Sequence, residues 1–258
     1  MKKNSNNFWN KRALKNKVPG SNDPYLDYFE TKKILSLLKN KSYLKILDVG
    51  CGSGNLLQNI KKEKKIKKGI GIDFSKEMIL KANKTNKFKD VNYFELDMNN
   101  ISQLQNLYNE KFDYILTKRS IINVLSRKKQ LKVIDDLGNF LKKNGKILSC
   151  ECSRDDQINL NKIRKRYGLK EINPPWHNLY FSDKIISNFK FNSVKLIKMH
   201  DFSSAFYFIS RVVNALDKKI TAKKSKYNDS VNKVGWMLDS NLIKGYSQTK
   251  IYEFSRKK

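Results

Sequence analysis

The sequence predicts an α/β protein, a doubly wound and mostly parallel sheet, and three observations carry that reading. Five short apolar runs recur between residues 45 and 151, each separated from the next by a stretch with helical spacing. The first run, KILDV at 45–49, passes directly into a glycine turn in which Gly50, Gly52 and Gly54 alternate. The second, KGIGID at 68–73, ends in an acid, Asp73, about 20 residues beyond that turn, where a ligand-binding carboxylate belongs in such sheets.

The elements follow in order. Residues 1–33 form a polar leader dotted with Trp9, Arg12, Tyr25 and Tyr28, which reads as a lid, and 34–44 reads as the helix that enters the sheet. After the first strand the glycines have separate tasks: one permits a tight turn, one lets backbone approach a ligand, one lets the helix at 56–62 start close to the strand. Cys51 sits inside this loop, where a small residue is required. No Gly-Lys-Ser/Thr ending follows, so the ligand is not a triphosphate, and the spacing is not the G-x-G-x-x-G of a dinucleotide site. Ser75 is placed to cap a helix over 75–84. Strands follow at 91–97, 112–117 and 146–151, with helical spacing at 101–109 and 130–141. Beyond 151 the pattern loosens. A basic helix is expected at 158–167, a turn-rich aromatic segment at 174–181, a strand and an aromatic stretch over 195–210, helix at 211–216, a loop or solvated face at 218–229, and a last strand at 250–254. The division is a leader 1–33, a core 34–155, and a C-terminal half, 156–258, of the same domain.

The loop with its preceding acid, Asp48-Val49-Gly50-Cys51-Gly52-Ser53-Gly54, resembles motif I of class I S-adenosylmethionine (SAM) methyltransferases. The resemblance covers about residues 44–151. It implies a Rossmann-like fold, SAM as cofactor and methyl transfer as the activity. It implies also that Asp48, Gly50, Cys51, Gly52 and Gly54 lie against the methionine part of SAM. By the same resemblance Asp73 accepts the vicinal ribose hydroxyls, Phe74 covers the adenine, and Asp97 with Met98 meets its amino group and edge. Thr117 and the residues to Asn123 then face the reacting methyl, and Arg12 or Tyr28 of the lid reaches the SAM carboxylate.

The acceptor side is read from TKRSIINV at 117–124. Related amine methyltransferases carry an Asp/Asn-Pro-Pro-aromatic motif at that station; Thr117-Lys118-Arg119-Ser120 stands there here, which disfavours an exocyclic amine as acceptor. Asn173-Pro174-Pro175-Trp176 has that motif's composition but follows the fifth strand, and it reads as a turn opening a substrate-facing segment. TKRSIINV, PWHNLYF at 175–181 and the stretch 201–215 together resemble methyltransferases of bacterial surface-polysaccharide and modified-sugar biosynthesis. That resemblance implies a hydroxyl acceptor on a sugar or nucleotide-sugar. Such transfer needs alignment and a general base, for which Glu151 and His177 are the candidates. Arg119 and Asn123 are candidates for holding acceptor hydroxyls or a phosphate, and Trp176, Tyr180 and Tyr207 for presenting flat faces to a sugar ring. No metal is implied. The rival readings are an RNA methyltransferase and a non-catalytic SAM-binding subunit.

The rival with RNA is motivated by charge. Lys and Arg number 54 against 24 Asp and Glu, a formal net charge of +30. Only eight of the 54 are Arg, the residue preferred for bidentate phosphate and base contacts, and the lysines are scattered from Lys2 to Lys258. That distribution, with 29 Asn, fits compositional bias at surface positions and lowers the nucleic-acid reading. Cys51, Cys150 and Cys152 form neither a C-x-x-C pair nor a Cys/His cluster, so no zinc site or disulfide framework is expected. The first residues lack an apolar signal core and no long apolar run occurs, which predicts a cytoplasmic protein without a membrane span.

Overall fold

The computed structural model describes residues 5–15, 23–38, 43–63, 66–238 and 242–257. Strands of a parallel sheet are buried on both faces, so their apolar residues need not alternate with polar ones, and the apolar runs assemble accordingly. The strands are β1 (Leu44–Val49), β2 (Ile66–Asp73), β3 (Val91–Glu95), β4 (Phe112–Lys118), β5 (Leu141–Cys152), β6 (Val194–Asp201) and β7 (Thr249–Arg256). They form one sheet in the order β3-β2-β1-β4-β5-β7-β6. Its first five strands are parallel, and β7 runs antiparallel between β5 and β6. Ile46, Leu116 and Leu148 pack on one face; Leu47, Ile115 and Ile147 pack on the other.

Helices cover both faces: α1 (Ser5–Leu14), α2 (Pro24–Leu37), α3 (Asn55–Glu63), α4 (Lys76–Thr85), the single turn α5 (Leu104–Leu107), α6 (Arg127–Gly138), α7 (Arg154–Arg166), α8 (Asp183–Asn188), α9 (Ser204–Phe208), α10 (Asn214–Ile220) and α11 (Ser230–Met237). A π-helical turn, Ile209–Val213, joins α9 to α10. The chain enters at the centre, winds outward to β3, then returns to the far side of β1 with β4. The chain beyond β1 and the chain beyond β4 go on to opposite halves of the sheet and leave a crevice at the strand carboxyl ends, the topological switch point of the sheet.

Several expected boundaries move, each for a local reason. The helix expected at 34–44 begins at Pro24, because Asp23 caps it by accepting from the Leu26 amide (3.2 Å) and proline suits its first turn. The leader contains a helix of its own, α1, docked on α4 where Ser75 Oγ donates to Asn10 Oδ1 (2.5 Å). The helix expected at 101–109 is a 3-10 segment, Met98–Gln103, followed by the one-turn α5, since Asn100 leaves helical geometry. The basic helix starts earlier, at Arg154, on a Ser153 cap. Helix α11, over part of a stretch for which the sequence offered no reading, packs on α9 and the π turn.

Candidate cofactor cleft and acceptor rim

The loop after β1 is bent by three left-handed glycines, Gly50 (φ +73°), Gly52 (φ +53°) and Gly54 (φ +79°). The amides of Gly50 and Cys51 both donate to the Ile72 carbonyl (2.7 and 3.0 Å), which ties the loop to β2. A Cβ on Gly50 would lie 2.3 Å from Ser120 Cβ, so the β1 and β4 loops touch only because this residue has none. Gly50→Ala is expected to destabilise the protein by about 2–4 kcal/mol, combining left-handed strain with displacement of Ser120. A melting temperature equal to that of the parent would contradict this account of the loop.

Asp73, at the end of β2, is buried. Its Oδ2 accepts from the Gly52 amide and its Oδ1 from the Ser75 amide, both at 2.9 Å. Burial raises its pKa to about 6 against the pull of those two donors. Asp48, at the end of β1, is buried too, and its Oδ2 has no hydrogen-bond partner. Burial, offset in part by Lys118, raises its pKa to about 7. Cys51 is a buried neutral thiol, its pKa pushed up by burial.

These groups line one cleft of about 740 Å³. Of the residues expected at the cofactor or acceptor, it brings together Asp48, Gly50, Cys51, Gly52, Asp73, Phe74, Met98, Arg119 and Asn123. It also recruits Trp9, Asp27 and Lys118. Trp9 stood in the aromatic leader, a visible signal. Asp27 carried none, because its role depends on a pairing across 91 residues: Lys118 Nζ donates to Asp27 Oδ1 (2.8 Å) and to Thr31 Oγ1 (3.0 Å). Next to it Arg119, in a left-handed conformation (φ 53°), sets its Nη2 3.0 Å from Glu30 Oε2. Burial alone would lower the Arg119 pKa, and the fully buried Glu30 carboxylate raises it above its ordinary value. Helix α2 thus clamps the end of β4 by ion pairs and closes one wall of the cleft.

Other expected residues lie elsewhere. Thr117 does not line the cleft: it is fully buried, with its hydroxyl shared between Ser149 Oγ (2.8 Å) and Glu151 Oε1 (2.7 Å). Glu151 does not line it either. Its carboxylate accepts from that hydroxyl and from the amides of Ser120, Ile121 and Ile122 (3.0–3.3 Å), and burial raises its pKa to about 7. Those four donors occupy the group expected to act as a base. Tyr180 and Tyr207 present no flat face. Both are buried, their hydroxyls engaged with Gln248 Nε2 (3.1 Å) and Thr249 Oγ1 (2.8 Å). Gly54 sits behind the loop, its carbonyl accepting from the Tyr93 hydroxyl (2.9 Å). Asp97 caps the turn after β3 by accepting from Asn99. Tyr28 packs its ring on Trp236 (5.4 Å).

The segment 174–180 lies beside the cleft without lining it, so the expected Trp176 and His177 stand outside its wall, and the segment reaches it through Trp9. A turn in which the Asn178 amide donates to the Pro175 carbonyl (2.9 Å) presents Trp176 and His177, and the Leu179 amide fastens the segment to the Ile122 carbonyl (2.7 Å). His177 stacks on Phe8 (4.4 Å between ring centroids) and meets Trp9 (5.5 Å) and Trp176 (5.4 Å) edge-on. Its Nδ1 is buried without a partner. Burial, then the nearby Arg12 guanidinium, lowers its pKa. Arg12 itself lies over Trp9, 5.9 Å from the ring centroid. Trp176 is about one-third exposed (37%).

A crevice at the switch point of a sheet in this strand order, floored by a left-handed glycine loop and two strand-end acids, defines a SAM-dependent methyltransferase of the Rossmann-like kind. The family model described as "Methyltransferase domain" matches residues 40–256, and the chain belongs to that family. Solved structures agree on the fold. The N-methyltransferase NodS of Bradyrhizobium japonicum WM9, in complex with S-adenosyl-L-homocysteine (SAH), is 12% identical with a TM-score of 0.60 over 99% of this chain and all of its own. Magnesium protoporphyrin IX methyltransferase (ChlM) of Synechocystis PCC 6803 with bound SAH is 12% identical with a TM-score of 0.57, covering 98% and 96%. A SAM-dependent methyltransferase of Anabaena variabilis ATCC 29413 is 14% identical with a TM-score of 0.60, covering 98% and 93%. Comparison with curated protein sequences gave no match. The cofactor is SAM. Among the described residues, no helix is long and apolar enough to cross a membrane.

Proposed function

We propose that this methyltransferase transfers the methyl group to a hydroxyl of a small polar acceptor, a sugar or nucleotide-sugar, with His177 as general base. The observation that carries the proposal is the state of His177: an imidazole packed on Trp9 of the cleft wall, its pKa lowered, its Nδ1 without a partner. Neutral at pH 7, it is in the form that accepts a proton. The station after β4, where amine methyltransferases keep their proline motif, holds an ion-paired Lys118-Arg119.

The cleft fits SAM. Asp73 keeps a free lone pair on each oxygen for a ribose hydroxyl, with Phe74 and Met98 against the adenine. The unpartnered Asp48 Oδ2 would hold the cofactor's ammonium, and Lys118 its carboxylate. When bound, SAM supplies a methyl group already activated on sulfonium. The protein's own part would be to align the acceptor oxygen, through Arg119, Asn123 and Trp176, and to take its proton on His177. Glu151 is a positioning residue that holds the amides of 120–122, and through them the β4 loop.

Asp48 gives this arrangement a pH signature. Its folded pKa of about 7 lies above the value of an unfolded aspartate, so its contribution to stability is complete below about pH 4 and is lost as pH rises through 7. Binding an ammonium group reverses that preference. SAH is therefore expected to raise the melting temperature more at pH 8 than at pH 6, and Asp48→Asn is expected to stabilise the empty protein at pH 8 while weakening SAH binding. An equal SAH-induced shift at the two pH values would remove Asp48 from the ammonium site. The acceptor assignment is tested by incubating the protein with SAM and a small-molecule extract and locating the new methyl group by mass spectrometry. An O-methylated sugar supports it, and an N-methylated product overturns it.

A further inference from the structure

Behind this segment lies a second, open pocket between α7 and residues 171–180. Arg127 at the start of α6, Arg154 at the start of α7, and Lys162 and Lys165 on α7 face it, opposed by the single carboxylate of Glu171. Arg127 and Arg154 are close enough for Arg154 to depress the Arg127 pKa, after the effect of burial. Among the described residues, Arg154, Lys162 and Lys165 have no carboxylate within ion-pair distance. Arg154, Lys162 and Lys165 are exposed, and a surface where cations outnumber carboxylates attracts an anion.

A second observation points to a polar ligand with a hydroxyl. Gln157, buried, lines the cavity, and its Oε1 has no hydrogen-bond partner, while its Nε2 donates to Asn161 Oδ1 (3.2 Å). An unsatisfied buried amide oxygen is a vacant acceptor, which a hydroxyl of the ester would fill. The walls also connect the cavity to the chemistry. Asn178, Leu179 and Tyr180 line it, whereas their neighbour His177 packs against Trp9 of the cofactor cleft and Trp176 packs against Phe8. One short segment thus separates the two.

We propose that this cavity is the subsite for the phosphate groups of the acceptor, so that the substrate is a phosphate or diphosphate ester whose sugar hydroxyl reaches His177. The inference rests on the hydroxyl-acceptor reading above and narrows it. A concave pocket with four cations suits a compact phosphoryl group; an RNA backbone would call for an extended basic track.

The test uses the full chain and inorganic pyrophosphate and UDP as probes in titration calorimetry. Both probes are expected to bind the parent protein. Arg154→Gln combined with Lys162→Gln, both exposed side chains, is expected to weaken them at least about tenfold while SAH affinity stays that of the parent. Lys87→Gln combined with Lys89→Gln, the same change in net charge made near the β3 edge of the sheet, is expected to have no such effect. Equal weakening by both double variants would reduce the binding to bulk charge and overturn the proposal, as would no binding of either probe. Single-stranded RNA bound through Arg154 and Lys162 in place of the two probes would overturn it in favour of a nucleic acid. Phosphatase treatment of the extract separates this proposal from the reading beneath it. Loss of sugar O-methylation after treatment supports the subsite, and O-methylation that persists overturns the subsite while leaving the hydroxyl acceptor standing.

Discussion

Asp73→Ala is expected to raise the dissociation constant of SAH by about a hundredfold. Each carboxylate oxygen already accepts one backbone amide, from Gly52 and from Ser75, and keeps a lone pair directed at the cleft. Hydrogen bonds to a charged acceptor contribute roughly 1.5–3 kcal/mol each, and about 1.4 kcal/mol is tenfold in affinity. The alanine also strands two amides, loosening the glycine loop and the first turn of α4 together. Burial raises its pKa to about 6, and in the proposed ribose contact it would act as the carboxylate. Affinity in the parent should therefore decline as pH falls through 6, and the variant should lack that decline. Calorimetric titration with SAH between pH 5 and 8 reads both effects, and parental affinity in the alanine variant would refute the ribose assignment.

His177→Gln is expected to lower kcat by roughly 10²–10⁴, the range for loss of a general base, with SAH affinity unchanged. Glutamine keeps polarity and approximate size, so the stack with Phe8 and the contact of α1 with the segment 174–180 are largely preserved. The lowered pKa gives the sign of the pH effect: activity falls on the acid side, at a pH below the ordinary imidazole range, as the ring takes up a proton. If SAH affinity and kcat fell in parallel, His177 would be a packing residue that holds the lid.

The cofactor half of the site was more legible in the sequence than the acceptor half. Asp48, the glycines, Asp73, Phe74 and Met98 lie at or just beyond strand ends, where a strand's register and a tight turn fix side-chain direction from a few neighbouring residues. Thr117 shows the limit of that rule. It precedes the strand end, points into the sheet, and is taken up by Ser149 and Glu151. Glu151 was chosen for its position and chemistry, but four donors brought from β4 and its loop decide its role, and no local pattern records them. Tyr180 and Tyr207 were read as exposed platforms from an aromatic-rich context. Packing of the C-terminal half, with long connections between β5, β6 and β7, buried them. The pairs Asp27–Lys118 and Glu30–Arg119 were invisible for the same reason, since each joins residues about 90 positions apart.

The most direct measurement is of methyl incorporation from labelled SAM into two pools offered in parallel, phosphorylated small molecules and total RNA, with mass spectrometry of the products. The account predicts SAH formation together with label on a sugar hydroxyl in the small-molecule pool. Label in RNA would contradict it, and would assign the net charge of +30 to substrate binding after all.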